Sequence, residues 1–162
     1  MKKENFSISH LANYDGCFDL QFRKDTRHER TNSPTYYRWK AQFVITLPKD
    51  RAKILEKIKK ELGCGAVSLA KNQARFSVQK INDIVETVIP YFTLRPLSHN
   101  KKKDFDLWQK AVHIISRNKG KYLASWKKND LLHLIEIHKS TVKYKNKPRQ
   151  HKWIDVAKAL IP

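Results

Sequence analysis

Residues 8–23, ISHLANYDGCFDLQFR, hold a short, partly apolar segment, one aspartate, one glycine and then a strict alternation. From Gly16 the period is two: Phe18, Leu20 and Phe22 fall on one side, and Cys17, Asp19, Gln21 and Arg23 on the other. That pattern predicts a helix meeting a half-buried strand at the Asp15–Gly16 joint. A polar loop, KDTRHERTNSPT over 24–35, ends in a Ser-Pro turn signal. YYRWKAQFVITL over 36–47 then alternates again, with Trp39, Ala41, Phe43 and Ile45 inward and Arg38, Lys40, Gln42 and Thr46 outward. The two runs predict a long hairpin with one packed face and one polar, mildly basic face.

Downstream the pattern repeats in outline. Pro48 stops the strand and Asp50 is placed to cap a helix. In DRAKILEKIKKELG, Ile54, Leu55, Ile58 and Leu62 form one stripe, and Gly63 suits the C-terminal cap. GAVSLA and ARFSVQ predict two short strands joined by KNQ, with Val67, Leu69, Phe76 and Val78 toward the core and Ser68, Gln73, Arg75 and Ser77 outward. INDIVETVIPYF carries Ile81, Ile84, Val85 and Val88 at helical spacing, with Pro90 as its expected stop. The order is αββαββα. After a basic loop, RPLSHNKKK, helices are expected to the end: Phe105, Trp108, Val112 and Ile115 mark one, and Leu131, Leu134, Ile135 and His138 another. Between the last two helical pieces lies KSTVKYKNKPRQHK over 139–152, basic and free of acids. The fold class is α+β, one domain over 1–162, with a core over about 5–117 and a basic helical extension over 118–162.

Charge narrows the function. With 34 Lys plus Arg against 15 Asp plus Glu, the formal net charge is +19. A compact body with that excess repels itself, and an anionic partner is its natural counterpart. Nucleic acid leads, because neutralised phosphates release counterions and supply sequence-independent affinity. The hydrophobic share of 40% argues against a wholly disordered basic tail. No apolar run reaches bilayer length, so no membrane partner is expected. MKKENFSISH lacks the apolar centre of a secretory signal, and an intracellular protein follows as the expectation. Frequent Lys, Ile and Asn suit an AT-rich genome, organellar (mitochondrion or plastid) or bacterial. Cys17 and Cys64 have no zinc-like spacing and are expected as buried small hydrophobes. His133 and His138 do not share a helical face, which argues against a metal pair.

Four antiparallel strands backed by helices present a plate whose outer side mixes Arg, Lys, Gln, Ser and Asp. B-DNA's major groove admits a β-ribbon, and those side chains pair with base edges and phosphates. Asp15, at the helix end, would repel a phosphodiester unless a divalent cation intervened. Mg²⁺ is usually held by one or two carboxylates plus substrate phosphates. One aspartate per chain is too few for a two-metal site, whereas two chains would bring two.

ISHLANYDGCF resembles, residue against residue, the signature helix of the LAGLIDADG homing endonucleases. The segment PYFTLRPLSHNKKKDFDLWQKAVHII resembles the same family's downstream motif at Pro96, Leu97, Lys101, Asp104 and Phe105. The αββαββα order is also the family's, and the resemblance covers most of 5–117. It implies an intron-encoded type of site-specific DNA endonuclease whose saddle-shaped four-stranded sheet lies in the major groove. It makes Asp15 the catalytic metal ligand, with Mg²⁺ (or Mn²⁺) as cofactor, and Lys101 the basic residue that supports the active site, with Arg95 as its neighbour. A single signature implies a homodimer on a roughly palindromic site, joined at His10, Leu11 and Tyr14. The DNA contacts implied are Asp19, Gln21, Arg23, Arg38, Lys40, Gln42, Ser68, Gln73, Arg75 and Ser77.

His10 and Tyr14 stand where the family usually carries small residues, and Asn13 replaces the usual first acid. A second function is therefore carried forward: a non-cleaving binder on the same scaffold, either an intron RNA maturase or a DNA-binding repressor. A third is a basic structural or ribosome-associated protein, for which the polar sheet face is solvation alone.

Overall fold

The computed structural model describes residues 7–26, 30–32, 34–95, 97–142 and 154–161. Pro96 and most of the basic tract over 139–152 lie outside them. Helix α1 (Ile8–Asp15) runs directly into strand β1 (Gly16–Asp25), which pairs antiparallel with β2 (Tyr36–Pro48). A 3₁₀ turn (Lys49–Arg51) leads into α2 (Ala52–Leu62), followed by β3 (Ala66–Leu69) and β4 (Gln73–Val78). One helical run over 81–94, here α3, closes the repeat. Then come α4 (His99–Arg117), a 3₁₀ turn (Leu123–Ser125), α5 (Lys128–Val142) and α6 (Ile154–Ala159). The single sheet has the order β1-β2-β4-β3, antiparallel throughout. This is the αββαββα order that the periodicity predicts.

Among the described residues, the helices pack on one side of the sheet. Phe18 on β1 sits opposite Phe43 on β2, their rings 5.2 Å apart, and both touch Phe92 of α3. Phe18 also meets Trp108 of α4 at 5.1 Å, and Trp39 meets His138 of α5 at 6.3 Å. The inward sets expected for the hairpin are thus all buried. The helices after Arg117 add Leu131, Leu134, Ile137 and Ala157 to the same apolar cluster. Gly63 ends α2 with φ +73, its N–H donating to the Lys59 carbonyl. Among the described residues, no helix is long and apolar enough to cross a membrane.

Five local expectations change. Pro90 does not stop its helix: a π turn over Ile84–Val88 widens the ladder where proline can offer no N–H to the Glu86 carbonyl, and the helix continues to Leu94. Asp50 makes no cap, because a 3₁₀ turn absorbs it before α2 begins. Leu69 is 61% exposed, at the outer end of the edge strand, where the inner layer ends. The stretch HNKKK is the start of α4 rather than a loop. It carries no apolar period, but Ser98 stands at the N-cap position and the helix is helical from His99. Finally, Cys17 and Cys64 are half-buried rather than buried. Burial, then the nearby Asp83 charge, raises the Cys64 thiol above its ordinary value.

Candidate nucleic-acid interface and catalytic corner

Asp15 is the last residue of α1 and is exposed, while Gly16, the first of β1, is buried. The passage from helix to strand is tight: a Cβ at Gly16 would lie 2.6 Å from the Ala12 carbonyl oxygen. Glycine is required here by space rather than by its backbone angle. The Lys101 Nζ donates to the Gly16 carbonyl at 2.7 Å, and the Ser98 backbone N–H donates to Asn13 Oδ1 at 2.8 Å. The start of α4 is thereby pinned to the end of α1, with an ammonium one residue from the Asp15 backbone. Lys101, Lys102 and Lys103 also crowd the first turns of α4, against the helix dipole, which favours anions there. A nearby phosphate would relieve that conflict. Arg95 takes another course, its guanidinium lying 3.9 Å over the Tyr91 ring.

No group of three or more His, Cys, Asp or Glu among the described residues could hold a metal. What the corner offers is one exposed carboxylate per chain. Hard oxygen donors of this kind fit Mg²⁺ or Mn²⁺ when a second copy and substrate phosphates complete the set.

The outer sheet face follows from the register. Asp19 lies opposite Gln42, Gln21 opposite Lys40, Arg23 opposite Arg38, and Thr46 opposite Arg75. Arg23, Ser68, Gln73 and Arg75 are exposed, and Gln21, Arg38, Lys40 and Ser77 half-buried. Asp19 and Gln42 differ: they are 2% and 4% exposed. Asp19 Oδ2 accepts from Gln21 Nε2 at 2.6 Å and from Gln42 Nε2 at 2.9 Å, and Gln42 Oε1 accepts from Arg75 Nη2 at 3.3 Å. Both ends of the Gln42 amide are occupied within the protein. These two residues, expected as base or phosphate contacts, are buried and form the floor on which Gln21 and Arg75 stand. The Trp108 indole N–H donates to the Asp19 carbonyl at 3.0 Å, fixing the floor to α4 from below.

Lys40 sits among Arg23, Arg38 and Arg75. Burial first, then these three cations, lower its ammonium below the ordinary 10.5, against the pull of Asp19. Its Nζ donates to Gln79 Oε1 at 2.6 Å, and Gln79 Nε2 to Ser77 Oγ at 3.4 Å. Gln79 was not among the predicted contacts, though it continues the alternation Gln73, Arg75, Ser77. Nearest the corner the face carries no charge: Cys17, Val44, Ser77 and Ala66 form one row across all four strands.

On α1, His10 and Tyr14 are exposed, Tyr14 at 76%, with their rings 4.9 Å apart. Leu11, the third expected interface residue, turns into the core of its own chain, because the stripe Ile8, Leu11, Ala12 is the one that packs on the sheet.

The family described as LAGLIDADG endonuclease matches residues 9–112. Among solved structures, the homing endonuclease I-TnaI aligns with a TM-score of 0.73 at 20% identity, over 96% of this chain and 95% of that one. I-SmaMI, bound to an uncleaved DNA target in the presence of calcium ions, aligns at 0.73 and 17% identity, over 94% of this chain and 48% of its own. The LAGLIDADG meganuclease I-AabMI, bound to uncleaved DNA, aligns at 0.71 and 21% identity, again over 94% and 48%. This chain spans about half the length of those two. At such identities the likeness establishes the fold.

Proposed function

The chain belongs to the LAGLIDADG endonuclease family, and from that premise we propose that it is a site-specific endonuclease of double-stranded DNA, acting as a divalent-metal-dependent homodimer on a roughly palindromic site. The observation that carries this reading is the corner, where Asp15 ends a helix, Lys101 is bonded to the next residue's carbonyl, and β1 leads on to the charged rows of the sheet. The sheet lies in the major groove and supplies register and specificity. Arg23, Arg38 and Lys40 meet phosphates or base edges, and Arg75 is presented for a bidentate contact. Asp15 from each of two copies would hold the Mg²⁺ or Mn²⁺, which would supply charge neutralisation and Lewis-acid activation of water. Lys101 places a cation where negative charge develops on the phosphate oxygens.

A selection of bound and cleaved sites from a random DNA pool, run with Mg²⁺ and with Ca²⁺, tests this. Binding is expected with both ions and cutting with Mg²⁺ only. Asp15→Asn is expected to keep binding and to lose at least about two orders of magnitude in cutting, as displaced catalytic groups do. Cutting by that variant at the wild-type rate would move the catalytic role elsewhere.

A second reading, a non-cleaving binder of intron RNA or DNA, is favoured by one observation. His10 and Tyr14 form a bulky pair, their rings tilted at 57°, on the exposed side of α1, where the two helices of the dimer would have to approach. Binding without metal-dependent nicking in the same selection would establish it.

A further inference from the structure

β4 pairs with β2 only over 43–48, so the hairpin projects beyond it, and the 36–42 stretch of β2 pairs with no strand on that side among the described residues. The linker between α4 and α5 runs beside this open corner. At one end Lys119 Nζ donates to Asn82 Oδ1 at 3.1 Å, just past β4. Further along, the Tyr122 ring lies 6.3 Å from that of Tyr36, the first residue of β2. Tyr36 shares the outer face with Arg38, and both tyrosines are exposed, at 47% and 78%. The linker thus borders the polar face at the end of the hairpin farthest from Asp15.

Its charge is one-sided. Residues 117–130 contain Arg117, Lys119, Lys121, Lys127 and Lys128 against a single acid, Asp130. That acid is already engaged: the Arg117 guanidinium, and the Asn118 amide at 3.0 Å, hold its carboxylate below the ordinary range. The lysines remain exposed. A cleft of about 410 Å³ opens among Arg117, Asn118, Lys121, Ser125, Lys127 and Asp130.

We propose that this linker is a second DNA-contact surface, which takes backbone phosphates of the duplex flanking the segment read by the sheet. The inference rests on the endonuclease reading above. Charge complementarity and continuity with the sheet face select the occupant: a duplex lying along the sheet continues past Tyr36 toward Lys121 and Lys127. Duplex DNA carries a charge about every 1.7 Å, so lysines in that position meet phosphates without reading sequence. Tyr36 and Tyr122 offer hydroxyl donors to the same backbone.

The test uses the full chain and a site recovered from the random pool, as two duplexes. One ends at the sheet's footprint; the other extends about one helical turn further on each side. Wild type is expected to bind the long duplex on the order of tenfold more tightly, with a log–log salt slope steeper by about two. Lys121→Ala/Lys127→Ala is expected to bind the short duplex like wild type and to lose the advantage of the long one. The Lys121→Arg/Lys127→Arg pair is expected to keep it. Equal binding of both duplexes by wild type overturns this proposal alone, as does a Lys→Ala pair that keeps the flank advantage. So does a larger gain from flanking single-stranded RNA than from flanking duplex. Wild type that binds neither duplex overturns the endonuclease reading and this proposal together.

Discussion

The two faces of the β1–β2 hairpin are made by the same strands and are both partly buried, yet they are built on opposite principles. On the inner face Phe18, Phe22, Trp39 and Phe43 pack by contact, which has no direction and tolerates many neighbours. On the outer face Asp19 and Gln42 are as dry as the core, but are held by directed bonds to Gln21 and Arg75. An apolar residue there needs a neighbour; a polar one needs a particular partner. The inner face therefore sets stability, and the outer face sets which cations and amides point outward.

The sharpest way to break this contrast is Phe18→Ala. It should cost about 3–5 kcal/mol in chemical denaturation, since the ring meets four other aromatic rings and its removal leaves a cavity. A loss below about 1 kcal/mol would mean the inner face is far looser than its contacts imply. Next comes Asp19→Ala, expected to cost about 1–3 kcal/mol by leaving the Gln42 amide unpaired in a dry place. Unlike Phe18→Ala, it should also alter base preference at the position served by Arg75, measurable by repeating the site selection. Unchanged preference would show that Arg75 needs no floor.

The smallest expected effect is electrostatic. In the folded chain the protonated form of Lys40 is disfavoured, so between its lowered value and 10.5 the unfolded chain holds more protons. Stability therefore rises with pH across that window for wild type relative to Lys40→Met. Thermal denaturation of the pair at several pH values measures the difference. Wild-type stability that falls relative to Lys40→Met as pH rises would put Lys40 in a charge-stabilising site, contrary to its neighbours.

Much of this fold was legible because period-two and period-3.6 patterns report which side of an element is apolar. Phe18, Leu20, Phe22, Trp39, Ala41, Phe43 and Ile45 needed nothing more. The misreadings share a cause: a sequence pattern gives a face, not what covers it. Asp19 and Gln42 alternate like solvent-facing residues, but longer side chains close over them. Leu69 alternates like a core residue, yet no layer reaches it. Pro90 stops a regular helix, and only the π turn before it shows why this one continues. At the corner, Asp15 and Lys101 were carried by motif alone. The bond from Lys101 to the carbonyl of Gly16, the residue after Asp15, joins positions 85 apart, which no local pattern encodes. Asn13 was seen only as a missing acid, whereas it fastens α1 to the start of α4.

The short β4 has a last consequence, for the protein on its own. A strand edge that no other strand covers, as at 36–42 among the described residues, can invite self-association. Over 36–42 that invitation is answered by charge, at Arg38 and Lys40, and by the linker whose Tyr122 reaches Tyr36. A chain shortened after Arg117 would lose the linker and uncover the apolar side of Trp39 beneath. Edge-to-edge aggregation is the expected outcome for such a chain, with or without DNA.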